Sequence, residues 1–137
     1  MITNQPVVAR GLITLSGIDK LHQLIIDRLN VRNASLDDIY FCPHHPNADL
    51  IEFRVKCSCR KPEIGMILEA IKKYNIDIKK SFFVGDTTVD ILTGINAGLK
   101  TILVKTGFAG SDKKFQVKSD FEVNDLKGVL KILRNAK

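Results

Sequence analysis

The sequence predicts an α/β fold built on a parallel sheet with flanking helices, and three observations predict it. Short apolar runs alternate with stretches of helical periodicity along the chain. One run, Phe82-Phe83-Val84, is continuously apolar and stops abruptly at Gly85-Asp86. A parallel strand buried on both faces reads that way when its C-terminal end presents an acid. The chain has 137 residues, 45% of them hydrophobic and 26% charged, enough for one domain with a core of its own.

Taken in order, Met1-Ile2-Thr3-Asn4 reads as the tail of a strand. Ile18, Leu21, Ile25 and Leu29 recur at helical spacing with Leu24 beside them, which predicts an amphipathic helix over about 19–30. Ile39-Tyr40-Phe41 reads as a short buried strand, followed by an irregular stretch with Pro43, Pro46 and Asn47 that runs to Cys59. Pro62 stands where a first helical position is expected, and Ile64, Ile67, Leu68 and Ile71 would form one face of the helix after it.

Beyond the strand at 82–84, a helix is predicted over about 88–97, stopped by Gly98. Thr101-Ile102-Leu103-Val104 is the next strand, and 108–114 is a glycine-containing loop. Phe121-Glu122-Val123 is a last short strand, leading into a helix capped by Asn124 and carrying Leu126, Val129, Leu130 and Leu133. The order of elements is Rossmann-like, in a single expected domain over 1–137, with no internal repeat and no low-complexity segment.

Twenty-one basic against fifteen acidic residues give a net charge of +6. The lysines lie in scattered pairs, Lys72–Lys73, Lys79–Lys80 and Lys113–Lys114, without interleaved aromatics and without tryptophan. That pattern reads as solvated surface and not as a nucleic-acid stripe, and it suits a small phosphorylated substrate. No apolar run approaches the roughly 20 residues a membrane-spanning helix needs. No basic flank, apolar stretch and small-residue cleavage site open the chain, so a cytoplasmic protein is expected.

Four groups of residues carry chemistry. All three cysteines lie in one window: Cys42-Pro43-His44, twelve residues, then Cys57-Ser58-Cys59. Two close pairs of soft ligands joined by a loop can wrap a tetrahedral Zn2+ as Cys3His, and four protein ligands leave no open position, so the metal would be structural. A disulfide would be disfavoured in the cytoplasm and would leave one thiol over. His44 is preferred to His45 because Cys-x-His matches Cys-x-Cys, and His22 reads as an ordinary helix residue.

The second group is Gly85-Asp86-Thr87-Thr88-Val89-Asp90, with one carboxylate at a strand end and another four residues on, in the first turn of a helix. Carboxylates there suit Mg2+, which keeps waters and a substrate phosphate in its shell. Asp90 alternatively serves only the helix dipole. The third is Arg60-Lys61-Pro62, two cations fixed beside the zinc loop, a phosphate site or else a pair of exposed basic side chains. The fourth is Thr3-Asn4-Gln5 at a strand end with Arg10-Gly11 soon after, whose hydroxyl and amides can donate to phosphate oxygens, although polar residues commonly end strands.

The order Thr-Asn-Gln, Ala-Arg-Gly, Cys-Pro-His-His-Pro, Cys-x-Cys-Arg-Lys-Pro-x-x-Gly-Met, Gly-Asp-x-x-x-Asp resembles the haloacid dehalogenase phosphatases. Within them the likeness is nearest to the heptose-bisphosphate phosphatases, then the histidinol-phosphate phosphatases. It runs from Ile2 to Lys137, and 42–66 is its most specific block.

The resemblance implies that Thr3 and Asn4 hold the transferred phosphoryl group. Lys61 would neutralise charge on nucleophile and phosphate, Arg60 would bind substrate, Asp86 would ligate Mg2+ and Asp90 would support that site. Cys42, His44, Cys57 and Cys59 would form the zinc loop, over about 42–59, that stands in for a cap domain, with Gln5 and Arg10 as further substrate contacts. It also implies hydrolysis of D-glycero-D-manno-heptose 1,7-bisphosphate to the monophosphate through an aspartyl phosphate.

The Asp-x-Asp-Gly-Thr motif that supplies the nucleophile in that family does not occur in these 137 residues. On this reading the chain is truncated at its N-terminus, lacks the central strand of its sheet and is inactive alone. Two other departures are Pro6-Val7-Val8 in place of Ser-Gly-Ile, and Thr87 where a basic residue often stands. The other readings are a zinc-bearing, phosphate-binding module without catalysis, a monomer or completed by a second chain, and a histidinol-phosphate phosphatase.

Overall fold

A computed structural model describes residues 1–135; Ala136 and Lys137, to which the family likeness is expected to run, lie outside the described residues. Two compact units divide the chain, Met1–Arg60 and Lys61–Lys137. Every strand pairing in both is parallel. Among the described residues no helix is long and apolar enough to cross a membrane.

In the first unit, β1 (Ile2–Asn4) pairs with β2 (Tyr40–Cys42) in the register Ile2 to Tyr40, Thr3 to Phe41 and Asn4 to Cys42. β2 thus runs one residue further than expected and carries Cys42 on its last position. A short helix not foreseen from the sequence, α1 (Pro6–Ala9), opens on the proline and has Val8 and Ala9 buried. α2 (Leu15–Asn30) begins four residues before the expected Asp19, because Thr14 caps it, its hydroxyl accepting from the Gly17 amide at 3.1 Å.

The inward face of α2 also differs from expectation. Ile18 and His22 are buried, whereas Leu21 and Leu24 are exposed. His22 stacks edge-on against Phe41, ring centroids 5.1 Å apart, so an aromatic contact from β2 selects the imidazole over the neighbouring leucines.

In the second unit, β3 (Phe82–Gly85), β4 (Lys100–Val104) and β5 (Phe121–Val123) form a sheet in that order. Ile102, Val104 and Val129 are its buried core, packed by Phe82, Val84, Val123 and Ile132. α3 (Gly65–Tyr74) starts three residues after Pro62: the Lys61–Pro62 peptide is cis and lies in a turn, not in a helix. Its buried side chains are Met66, Ile67 and Ala70, and Leu68 points out.

α4 (Thr88–Asn96) follows β3. α5 (Leu126–Asn135) is capped by Asp125 instead of Asn124, the Asp125 carboxylate accepting from the Gly128 amide at 3.0 Å. Of the four apolar residues named for this helix, Val129 is buried, while Leu126, Leu130 and Leu133 are exposed.

Asp120 fastens the start of β4 to the residue before β5. Its Oδ2 accepts from the Thr101 amide at 2.7 Å and from the Thr101 hydroxyl at 2.8 Å, and its own amide donates to that hydroxyl at 3.0 Å. The Thr101 backbone bond, with the hydroxyl after it, holds the Asp120 carboxyl below its ordinary value of 3.8. A carboxyl depressed in the folded state stabilises the fold above its unfolded pKa, and that contribution is lost as pH falls through the folded value. Asp120→Asn is therefore expected to lower stability at neutral pH and to flatten its decline in acid. Urea midpoints of both proteins at neutral pH and near pH 3 check this; equal acid slopes would remove Asp120 from the account.

Candidate functional site

Each unit carries a cluster of chemically apt side chains. In the first, β2 delivers Cys42 and the irregular segment after it His44, while Cys57 and Cys59 return from the far end of the loop. Cys59 Sγ lies 3.1 Å from Cys42 Sγ and 3.2 Å from Cys57 Sγ, and Cys42 Sγ lies 3.5 Å from Cys57 Sγ. His44 Nδ1 is 3.5 Å from Cys59 Sγ and 3.7 Å from Cys42 Sγ. All four donor atoms fall within 4.8 Å of one another.

Tetrahedral Zn2+ with Zn–S near 2.3 Å places sulfurs about 3.8 Å apart, so a slight expansion of this cluster encloses the ion. All three cysteines are free thiols. His45 faces its own loop, its Nδ1 accepting from the Asn47 amide at 3.0 Å, which leaves His44 as the imidazole of the cluster.

The thiols differ in acidity before any metal acts on them. Burial pushes Cys42 well up, reinforced by its hydrogen bond with Cys59. Burial also raises Cys59. Burial opposes but does not prevent a lowering at Cys57, which accepts from Cys59 and from backbone at Arg60. A bound cation would convert all three to thiolates. Arg60 braces the loop, its Nη1 donating to the His44 carbonyl at 2.9 Å.

Elsewhere in the first unit, Thr3 and Asn4 end β1. Gln5 Nε2 donates to the Thr3 hydroxyl at 3.3 Å, and the Gln5 amide donates to the Cys42 carbonyl at 2.8 Å. The strand end that carries the Thr-Asn-Gln run is thereby tied directly to the first cysteine. Arg10 is exposed at the end of α1.

In the second unit, β3 ends on Gly85 and hands the chain to Asp86. Thr87 and Asp90 form a capping box: Thr87 Oγ1 accepts from the Asp90 amide at 3.1 Å, while Asp90 Oδ2 accepts from the Thr87 amide at 3.1 Å and its hydroxyl at 2.6 Å. The other oxygen, Oδ1, takes Lys61 Nζ at 2.5 Å, in a pair whose side chains are only 13% and 9% exposed. Both Asp90 oxygens are therefore committed, and the residue acts on its surroundings by holding Lys61. A side chain at Gly85 would collide with the Asp90 carboxylate, so glycine is required where β3 meets this pair.

Asp86 Oδ2 accepts from the Phe108 amide at 2.8 Å, and the Asp86 carbonyl accepts from the Gly110 amide at 2.8 Å. Gly107 has φ +71°, and a Cβ there would strike Asp86 Oδ2. Asp86 also lines an open pocket of about 280 Å3 with Val84, Gly85, Val104, Thr106, Gly107 and Leu126. A carboxylate at a parallel strand's C-terminal end, facing a pocket, is placed to meet a hard cation.

Two participants escaped the reading of the sequence. The Thr87-x-x-Asp90 pattern is a local capping signal and could have been found there. Asp112, which binds Thr88 from 24 residues away, offered no such signal.

With this geometry in place, the comparisons decide the family. A HAD-hydrolase-like family model matches residues 58–129, slightly more than half of the chain. The chain belongs to the HAD-like hydrolases. This HAD-like chain is 41% identical over 99 residues to a D-glycero-beta-D-manno-heptose-1,7-bisphosphate 7-phosphatase of Rhodopseudomonas palustris, covering 72% of the chain and 55% of that protein. An enzyme of the same name from Escherichia coli K12 is also 41% identical, over 72% of the chain and 52% of its own length. The chain thus spans about half the length of the curated relatives it matches.

Among solved structures, the D,D-heptose 1.7-bisphosphate phosphatase from B. bronchiseptica, complexed with magnesium and phosphate, matches with a TM-score of 0.83 and 28% identity. That match covers 99% of this HAD-like chain and 73% of the other.

Proposed function

We propose that this chain is part of a Mg2+-dependent phosphoric monoester hydrolase that removes the 7-phosphate of D-glycero-D-manno-heptose 1,7-bisphosphate. The observation that carries the reading is the Lys61–Asp90 pair beside the Asp86 motif, in a chain whose 41%-identical relatives are named as that enzyme. The B. bronchiseptica neighbour, which holds magnesium and phosphate, supports the cofactor.

On this reading Asp86 is the Mg2+ ligand, and the cation would supply charge neutralisation at the phosphoryl oxygens. Lys61, oriented by Asp90, adds a second positive charge for the same oxygens. In the first unit, Thr3 and Asn4 donate to phosphate, Arg60 binds the sugar phosphate, and Gln5 and Arg10 contribute further substrate contacts. The Cys42, His44, Cys57 and Cys59 cluster holds a structural Zn2+. The Asp-x-Asp-Gly-Thr motif that carries the family's nucleophile does not occur in these 137 residues. The domain is of the single haloacid dehalogenase type, cytoplasmic, with a small phosphorylated sugar as its partner.

The test is 31P NMR of the bisphosphate with the native protein, at whatever length its source cells make it. The expected result is Mg2+-dependent loss of the 7-phosphate with the 1-phosphate retained, abolished by Asp86→Asn. Loss of the 1-phosphate instead, or turnover of histidinol phosphate alone, would overturn the substrate; activity undiminished in Asp86→Asn would overturn the role of the motif.

A further inference from the structure

The loop between β4 and β5 is held by hydrogen bonds where apolar packing is scarce. Gly107, Ala109, Gly110 and Lys113 all have positive φ, from +46° to +74°, a conformation that costs energy at the two non-glycine positions. Phe108 is 60% exposed and Phe115 38%, so neither ring anchors the loop in a core. What fixes it is a set of polar contacts to two consecutive elements of the Asp86 motif.

The Phe108 and Gly110 amides bond to Asp86, at its carboxylate and its carbonyl. Further along, Asp112 Oδ1 accepts from the Thr88 amide at 2.7 Å and Asp112 Oδ2 from the Thr88 hydroxyl at 2.7 Å. Because that hydroxyl donates to Asp112, its oxygen is left to accept from the Phe115 amide, at 3.2 Å. Thr88 is the first residue of α4, whose amide has no partner within the helix, so Asp112 satisfies an orphan donor while it tethers the loop. The Thr88 amide and hydroxyl outweigh the opposing effect of burial and hold the Asp112 carboxyl below its ordinary range, as expected of a carboxylate bound in its ionised form.

We propose that Asp112 is a positioning residue for Asp86: by clamping the 106–115 loop to the first turn of α4, it keeps the Phe108 amide on the Asp86 carboxylate and so sets that carboxylate's affinity for a divalent cation. The inference rests on the reading of Asp86 as the metal ligand. It assigns to a residue 26 positions away the role that outer-shell partners play around metal ligands, where their loss typically weakens binding by about 10- to 100-fold.

The experiment titrates the full chain with Mn2+ and follows paramagnetic broadening of the Gly107 and Phe108 amides by NMR. Asp112→Ala is expected to raise the apparent Kd about tenfold and to move the metal-free Phe108 amide proton upfield as its hydrogen bond to Asp86 is lost. Asp112→Asn, which keeps one acceptor, should lie between. Thr88→Val, which keeps the amide but not the hydroxyl, supplies the same intermediate effect should Asp112→Ala not fold. A merely structural role would lower the melting temperature without shifting the Kd or the Phe108 resonance. Broadening that is lost in Asp86→Asn but unchanged in every Asp112 and Thr88 variant overturns the inference and leaves Asp86 as the ligand. Broadening that is absent in the wild type, or persists in Asp86→Asn, overturns that ligand and the inference with it.

Discussion

Replacing Cys57 with serine is expected to take the chain from one zinc per molecule to far less, and to loosen the whole segment between Cys42 and Cys59. This loop contains little regular structure beyond the single turn at Ile51–Phe53, and although the small Ala48 is buried, the larger Leu50, Ile51 and Val55 are exposed. Apolar burial therefore contributes little to its order. Four soft donors within 4.8 Å of one another can supply what packing does not. Apparent binding free energies of structural zinc run to about 10–16 kcal/mol, and in a site of this kind binding energy is also folding energy. Removing one thiolate leaves three protein ligands and opens the fourth position to water, so the binding energy of one Zn–thiolate bond is lost.

Cys42→Ser should act at least as strongly, since its sulfur is fully buried at the end of β2, where the Gln5 amide bonds to the Cys42 carbonyl. His45→Ala should leave the zinc content unchanged, because His45 lies outside the cluster. Metal content by plasma mass spectrometry, with amide spectra of residues 42–60, decides the matter. Unchanged zinc stoichiometry in Cys57→Ser would dismiss the cluster as a metal site.

Lys61→Ala should destabilise the second unit by about 3–5 kcal/mol, the range found when one partner of a buried ion pair is removed and the other stays charged. With both side chains under 15% exposed, solvent screening does little to soften the loss. Asp90 cannot escape to water: its second oxygen is fixed by the Thr87 capping box, and the β3 terminus at Gly85 packs against it. Asp90→Ala should cost a similar amount through the loss of both the pair and the cap.

The double variant should cost clearly less than the sum of the two, because it leaves no orphan charge. Urea unfolding of the four proteins gives the coupling directly. A loss below about 1 kcal/mol in Lys61→Ala would mean that the pair is solvated and weak. Phosphate binding, followed separately by 31P line width, should vanish in Lys61→Met even where the fold survives, since the cation itself is what phosphate requires.

Some of this protein is determined within short stretches of sequence, and those parts were legible there. Strand 82–85 announces itself because a strand buried on both faces has no reason to alternate, and its parallel pairing follows from helices between strands. The zinc cluster is legible because thiols and imidazole are chemically distinct and the two pairs each span three residues. The acid after β3 is legible for the same reason, being an abrupt polar end to an apolar run.

Tertiary structure alone decided the rest. Which face of α2 turns inward depended on Phe41 in β2 accepting His22, a contact that hydropathy cannot weigh. Pro62 reads as a helix start until the fold places it in a turn ahead of Gly65. Asp90 reads as a support of the Mg2+ site or as a helix-dipole residue, and only the fold brings Lys61, 29 residues earlier, to it. Asp112 and Asp120 look like ordinary loop acids until Thr88 and Thr101, 24 and 19 residues away, present their amides and hydroxyls. Periodicity and capping act within a turn or two of the chain, so sequence registers them. Partners far apart along the chain meet only once the sheet has closed the intervening loop, and nothing local encodes which acid each loop will deliver.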